Sequence, residues 1–150
     1  MKKITLIIIL LIPFSVCNAQ IEEKKPADWQ TIGRLHFGGI TKARLQYIAS
    51  GKDTTYLLFI KDVRDQPKDN YFSITFKGID DTYDKLYNIL KSFFLDENKK
   101  NKKYSRTFKL GDKGVNVQHY RLITGRGIML ATDDGYTYWT EHDIDKLFGR

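Results

Sequence analysis

The stretch YFSITFKGIDDTYDKLYNILKSFFL, Tyr71 to Leu95, changes its hydrophobic period at Gly78, and that change decides the fold. Before the glycine, Phe72, Ile74 and Phe76 recur every second residue and alternate with Tyr71, Ser73, Thr75 and Lys77. Successive side chains of an extended chain point to opposite faces, so this is a strand with one apolar face. After it, Tyr83, Leu86, Tyr87, Leu90, Phe93 and Phe94 recur at three and four residues, the single apolar stripe of an amphipathic helix. Asp80 or Asp81 is placed to cap the first turn, and Asp84 to meet the positive end of the helix. Side chains of this kind contribute roughly 1.5–3 kcal/mol each when buried, so the helix is the expected centre of the core.

Upstream, Leu35 and Phe37 alternate with Arg34 and His36, and Gly38-Gly39 makes a turn. Ala43, Leu45, Tyr47 and Ala49 then alternate with polar neighbours up to a Ser50–Asp53 turn. Tyr56 to Ile60 is apolar in both phases, which predicts a central strand covered on both faces. Downstream, strands are expected over 104–110, 115–123, 128–132 and 136–139, separated by turns at Gly111–Gly114, Thr124–Gly127 and Asp134-Gly135. Thr140 with Asp143 three residues on forms an acidic capping box for a short closing helix carrying Ile144, Leu147 and Phe148. The order is ββββα-ββββα, an α+β fold of about eight antiparallel strands with helices laid on one face. The two halves can be aligned at Gly33/Ser105, Gln46/His119, Ser50/Thr124 and Asp84/Asp145, the pattern of an internal duplication. The alternative is a closed eight-stranded barrel of the lipocalin type with its helices outside.

The first residues read as an export signal. Lys2 and Lys3 precede an apolar run, and Cys17-Asn18-Ala19 supplies small residues before Gln20. Ile4 to Val16 spans only 13 residues, whereas crossing a bilayer takes about 20. Cleavage after residue 19 predicts a secreted or periplasmic domain with no transmembrane segment, and the alternative is a lipoprotein anchored through Cys17. Residues 20–30 have neither period and are expected to form a flexible leader to a single α+β domain over 31–150. Cys17 is the chain's one cysteine. A mature chain without it has no disulfide, no thiol nucleophile and no cysteine-ligated zinc. The formal charge falls from +7 to +5 when Lys2 and Lys3 leave. That excess suits an anionic surface, while export argues against nucleic acid as partner.

No catalytic constellation is written in the sequence. His36, His119 and His142 are scattered, with no H-E-x-x-H or H-x-H pair, and no G-x-S-x-G elbow or phosphate-binding glycine loop is present. Asp133-Asp134-Gly135 lacks the spaced ligands of a calcium loop. His119 shares a phase with Val115 and Val117 while Tyr120 and Leu122 hold the other, which predicts a bulge at Gln118-His119 and makes His119 the candidate pocket residue. Lys99, Lys100, Lys102 and Lys103, with Arg106, form the densest positive charge, in what reads as a solvated loop beyond the helix. Tyr136, Tyr138 and Trp139 cluster on the last strand, where an exposed set would stack on a glycan or anchor a protein. The expected function is a non-enzymatic binding or inhibitor module acting through a sheet face or strand edge on an envelope or extracellular protein or glycan, without cofactor or metal. The alternative is a small envelope-polymer hydrolase using dispersed carboxylates or His119.

Overall fold

The computed structural model describes residues 28–64, 70–123 and 125–150. The expected signal segment and residues 20–27 of the expected leader lie outside them, and Gln30 already opens the first strand. Strands β1 (Gln30–Phe37), β2 (Ile40–Ser50), β3 (Asp53–Lys61) and β4 (Tyr71–Lys77) form one sheet in the order β1-β2-β3-β4. Helix α1 (Thr82–Lys91) follows, closed by a 3₁₀ turn over Ser92–Phe94. Strands β5 (Ser105–Leu110), β6 (Lys113–Leu122), β7 (Gly125–Ala131) and β8 (Tyr136–Trp139) form a second sheet in the order β5-β6-β7-β8, and α2 (Glu141–Leu147) ends the chain. Every pairing is antiparallel. The fold is α+β in the expected order, built as two open sheets and not as the closed barrel of the alternative reading.

The period change at Gly78 is realised as read. Phe72, Ile74 and Phe76 of β4 are buried and their neighbours exposed, and Leu86, Leu90 and Phe93 are at most 2% exposed. One continuous core takes in these residues, Leu45, Leu58 and Ile60 of the first sheet, Val115, Val117, Ile128, Leu130 and Trp139 of the second, and Ile144, Leu147 and Phe148 at the closing helix. Helix α1 bridges the two sheets. Near its start Tyr83 stacks on Tyr56 of β3 at 5.2 Å, and beyond its end Phe93 meets His119 of β6 edge-on at 5.2 Å. Its first turn is made differently from the expectation. Asp81 adopts the left-handed conformation, φ 56°, and its side chain caps nothing; the Thr82 hydroxyl donates to the Ile79 carbonyl instead. A side-chain cap needs extended backbone at the N-cap, which Thr140 of α2 has, and there the reciprocal capping box with Asp143 forms.

Helix α2 belongs to the second half in sequence but lies against β1 of the first. A Cβ on Gly33 would stand 2.3 Å from the carbonyl oxygens of Lys146 and Leu147, so only glycine lets strand and helix approach. The bulges occur there too, between Thr31 and Gly33 and between Leu35 and His36. None is found at Gln118-His119, where the register with β7 is unbroken and the pairing with β5 runs evenly up to Gln118. The expected conflict of phases disappears because Tyr120 points to the outer face, where it packs on another tyrosine. Strand β3 is central as expected, yet its second face is only half covered. Phe59 there is sheltered by Tyr71, stacked at 4.7 Å, and by the Arg44 guanidinium, 5.6 Å from the ring centroid.

A buried carboxylate latches the sheets together. Asp62, 5% exposed at the end of β3, accepts hydrogen bonds from the Arg64 backbone and guanidinium (3.1 and 2.9 Å) and from the Tyr136 N–H of β8 (3.2 Å). Burial alone would push this carboxyl up, but the donors from Arg64 and Tyr136 outweigh it and hold it below the usual carboxylate range. Val63 N–H adds a bond to the Tyr136 carbonyl at 3.1 Å.

Candidate binding groove

The lysine-rich segment after α1 is an ordered series of turns. Lys99 N–H bonds to the Leu95 carbonyl at 2.8 Å, and Tyr104 N–H to the Asn101 carbonyl at 3.0 Å. Two asparagine side chains fix the path: Asn98 donates to the Ser92 carbonyl at 2.9 Å, and Asn101 accepts from Lys103 N–H at 3.1 Å. Short polar side chains that bond to nearby backbone are what turns require. The segment is then pinned to the β6–β7 hairpin at two points. His119 Nε2 lies 3.1 Å from the Asn98 carbonyl, and Arg126 donates to the Lys99 carbonyl at 3.3 Å. A carbonyl only accepts, so Nε2 carries the proton in this contact.

Between the pinned segment and the hairpin runs a groove of about 790 Å³. Lys99, Lys100 and Lys102 form one wall, and His119, Tyr120, Arg121, Leu122 and Ile123, with Gly125 and Arg126, form the other. Five cations therefore converge on it. Asp96 is paired with Lys99, which holds its carboxyl below the ordinary range. Lys100, Lys102, Arg121 and Arg126 have no carboxylate within ion-pair distance among the described residues. Arg121 and Arg126 also stand directly opposite each other in the β6–β7 ladder, and like charges in that position destabilise a sheet. Like charge gathered in this way is offset by solvent and counterions, and it favours an anion placed among these groups.

The expected site residues are distributed around this groove. Lys99, Lys100 and Lys102 line it; Lys103 lies beside it on the same turns, and Arg106 projects from β5 opposite Val117. Tyr136 and Tyr138 are half-buried on the outer face of β8. Tyr138 stacks on Tyr120 at 3.9 Å and meets Tyr136 edge-on at 5.5 Å, forming an aromatic ladder that reaches the groove through Tyr120. Burial, with hydrogen bonding to the Tyr120 and Tyr136 hydroxyls, pushes the Tyr138 phenol up. Trp139 takes the other face as expected and is 1% exposed in the core, which leaves any contact surface on β8 to the tyrosines. His36 is exposed beside Thr41, and His142 is exposed in the first turn of α2. Among the described residues no three His, Cys, Asp or Glu side chains converge as a metal site, and no helix is long and apolar enough to cross a membrane. Arg121 and Arg126 are absent from the charge cluster read in the sequence, because the strand register alone brings them to the lysines. Comparison with protein-family models, curated proteins and solved structures finds no match.

Proposed function

We propose that this chain is an exported, non-enzymatic binding module whose partner is an acidic molecule of the envelope or cell exterior, held in the groove between the lysine turns and the β6–β7 hairpin. The observation that carries this reading is the convergence of Lys99, Lys100, Lys102, Arg121 and Arg126, with Asp96 the one carboxylate paired to them among the described residues. The tyrosine ladder beside it supplies planar, half-buried surface on which a bound polymer would continue. Export rests on the N-terminal residues. A hydrolase built on His119 would need a carboxylate within hydrogen-bond reach of the ring. Its Nε2 instead meets a backbone carbonyl, and the ring packs between Phe93 and Tyr104.

Isothermal titration with dextran sulfate, a soluble polyanion, tests the proposal. Binding is expected to weaken steeply with added salt, because exposed charges are screened beyond about 10 Å at 0.1 M. Arg121→Glu with Arg126→Glu is expected to abolish it. The same change of net charge at Lys52 and Lys85, which do not line the groove, is expected to leave most of it. Equal losses from the two pairs would reduce the groove to a share of overall charge and overturn the reading.

A further inference from the structure

The hairpin that forms one wall of the groove carries an unusual tip. Ile123 is fully exposed, at 107%. Leu122 is half-buried and lines the groove next to it, and Arg121 and Arg126 flank the turn. A lone exposed aliphatic side chain needs no explanation by itself. Here it follows the last paired residue of β6, with Arg121 and Arg126 on the two strands beside it and the lysine turns across the groove. That arrangement has the layering of a bilayer interface, in which an apolar tip enters the acyl boundary while basic groups stay at the level of anionic headgroups. An acidic polysaccharide would use the cations but offers an isolated isoleucine nothing, since sugars pack on flat aromatic faces.

We infer that the β6–β7 hairpin docks on an anionic phospholipid surface, with Ile123 inserted among the acyl chains and Lys99, Lys100, Lys102, Arg121 and Arg126 on the lipid phosphates. This rests on the reading of the groove as an anion site and names the source of the anion. The cations set the lipid selectivity, because without phosphate charge opposite them their dehydration is uncompensated. The isoleucine sets the depth. The two contributions are separable by mutation: charge reversal abolishes the preference for anionic over neutral lipid, whereas shortening the tip weakens attachment without changing that preference.

The test uses the full chain carrying Ile123→Trp, compared with the parent so that any contribution from the apolar N-terminal stretch and from Trp29 and Trp139 cancels. Vesicles of phosphatidylglycerol mixed with phosphatidylcholine are set against pure phosphatidylcholine. A blue shift of the introduced indole on the anionic vesicles alone, with quenching by brominated acyl chains, is the expected result. Combining Ile123→Trp with Arg121→Glu and Arg126→Glu is expected to lower this partitioning by roughly tenfold or more. An unshifted emission on anionic vesicles overturns the inference. If dextran sulfate still binds in that case, the groove remains an anion site and its partner is a soluble acidic polymer. If dextran sulfate also fails to bind, the anion-binding reading falls with it.

Discussion

Asp62 shows how much of the assembly hangs on a single side chain. It is ionised and almost wholly buried, yet it faces three donors, one of them the backbone N–H of the strand that opens the other sheet's last hairpin arm. Its carboxyl titrates below the usual value of about 3.9 because those donors outweigh burial. A carboxyl depressed in the folded state contributes stability that is fully present above its unfolded pKa and is lost as pH falls through its folded pKa. Asp62→Asn keeps one acceptor but turns an amide toward donors, and is expected to cost about 1–3 kcal/mol at neutral pH. Urea denaturation across an acid series checks both parts: the variant is less stable at pH 7, and its stability declines less than the parent's below about pH 4. Parallel acid limbs would mean that the latch carries no linked proton. The sequence offered no sign of this residue's role, since Asp62 lies just beyond the apolar run that ends at Ile60, and its partner at Tyr136 is far along the chain.

At the scale of elements, α1 and the groove differ in how far local sequence determines them. Both periods of the 71–95 stretch are written in consecutive residues, so strand, helix and buried face were legible. Leu86→Ala should cost roughly 2–5 kcal/mol as a truncation in a close-packed site, read as a shift of the urea midpoint; an unchanged midpoint would remove α1 from the centre of the core. The lysine turns were legible as charge but not as structure, because their order comes from Asn98 and Asn101 bonding to backbone and from His119 reaching across from β6. The arginine pair was hidden by the turn. With the β6–β7 turn drawn over Thr124–Gly127, Arg126 falls in the loop, whereas strand β7 begins at Gly125 and puts Arg126 opposite Arg121. A shift of two residues in a turn decides which side chains face each other across a ladder, and single-strand periodicity carries no information about it.

For the whole molecule, the repeated ββββα order suggests two similar units, and each sheet is the same four-stranded meander followed by a helix. The packing does not respect that division. Helix α2 lies on β1, α1 runs from β3 to β6, Tyr83 donates to the Phe148 carbonyl at 2.7 Å, and Asp62 holds β8 to β3. Whatever the origin of the repeat, the halves share one core, so they should unfold together. Gly33→Ala probes this, because its Cβ would meet the carbonyl oxygens that end α2 and push the second half's helix off the first half's sheet. Crowding of that kind costs about 1–3 kcal/mol. In a Trp29→Phe background, far-ultraviolet dichroism, which follows both sheets, and the near-ultraviolet tryptophan bands, which then come from the buried Trp139 of the second, are expected to report one coincident thermal transition with Gly33 intact. In the variant both should move down together. A fall in the first with the tryptophan signal unmoved would show two separately stable units, and the continuous core would then not be what holds this fold.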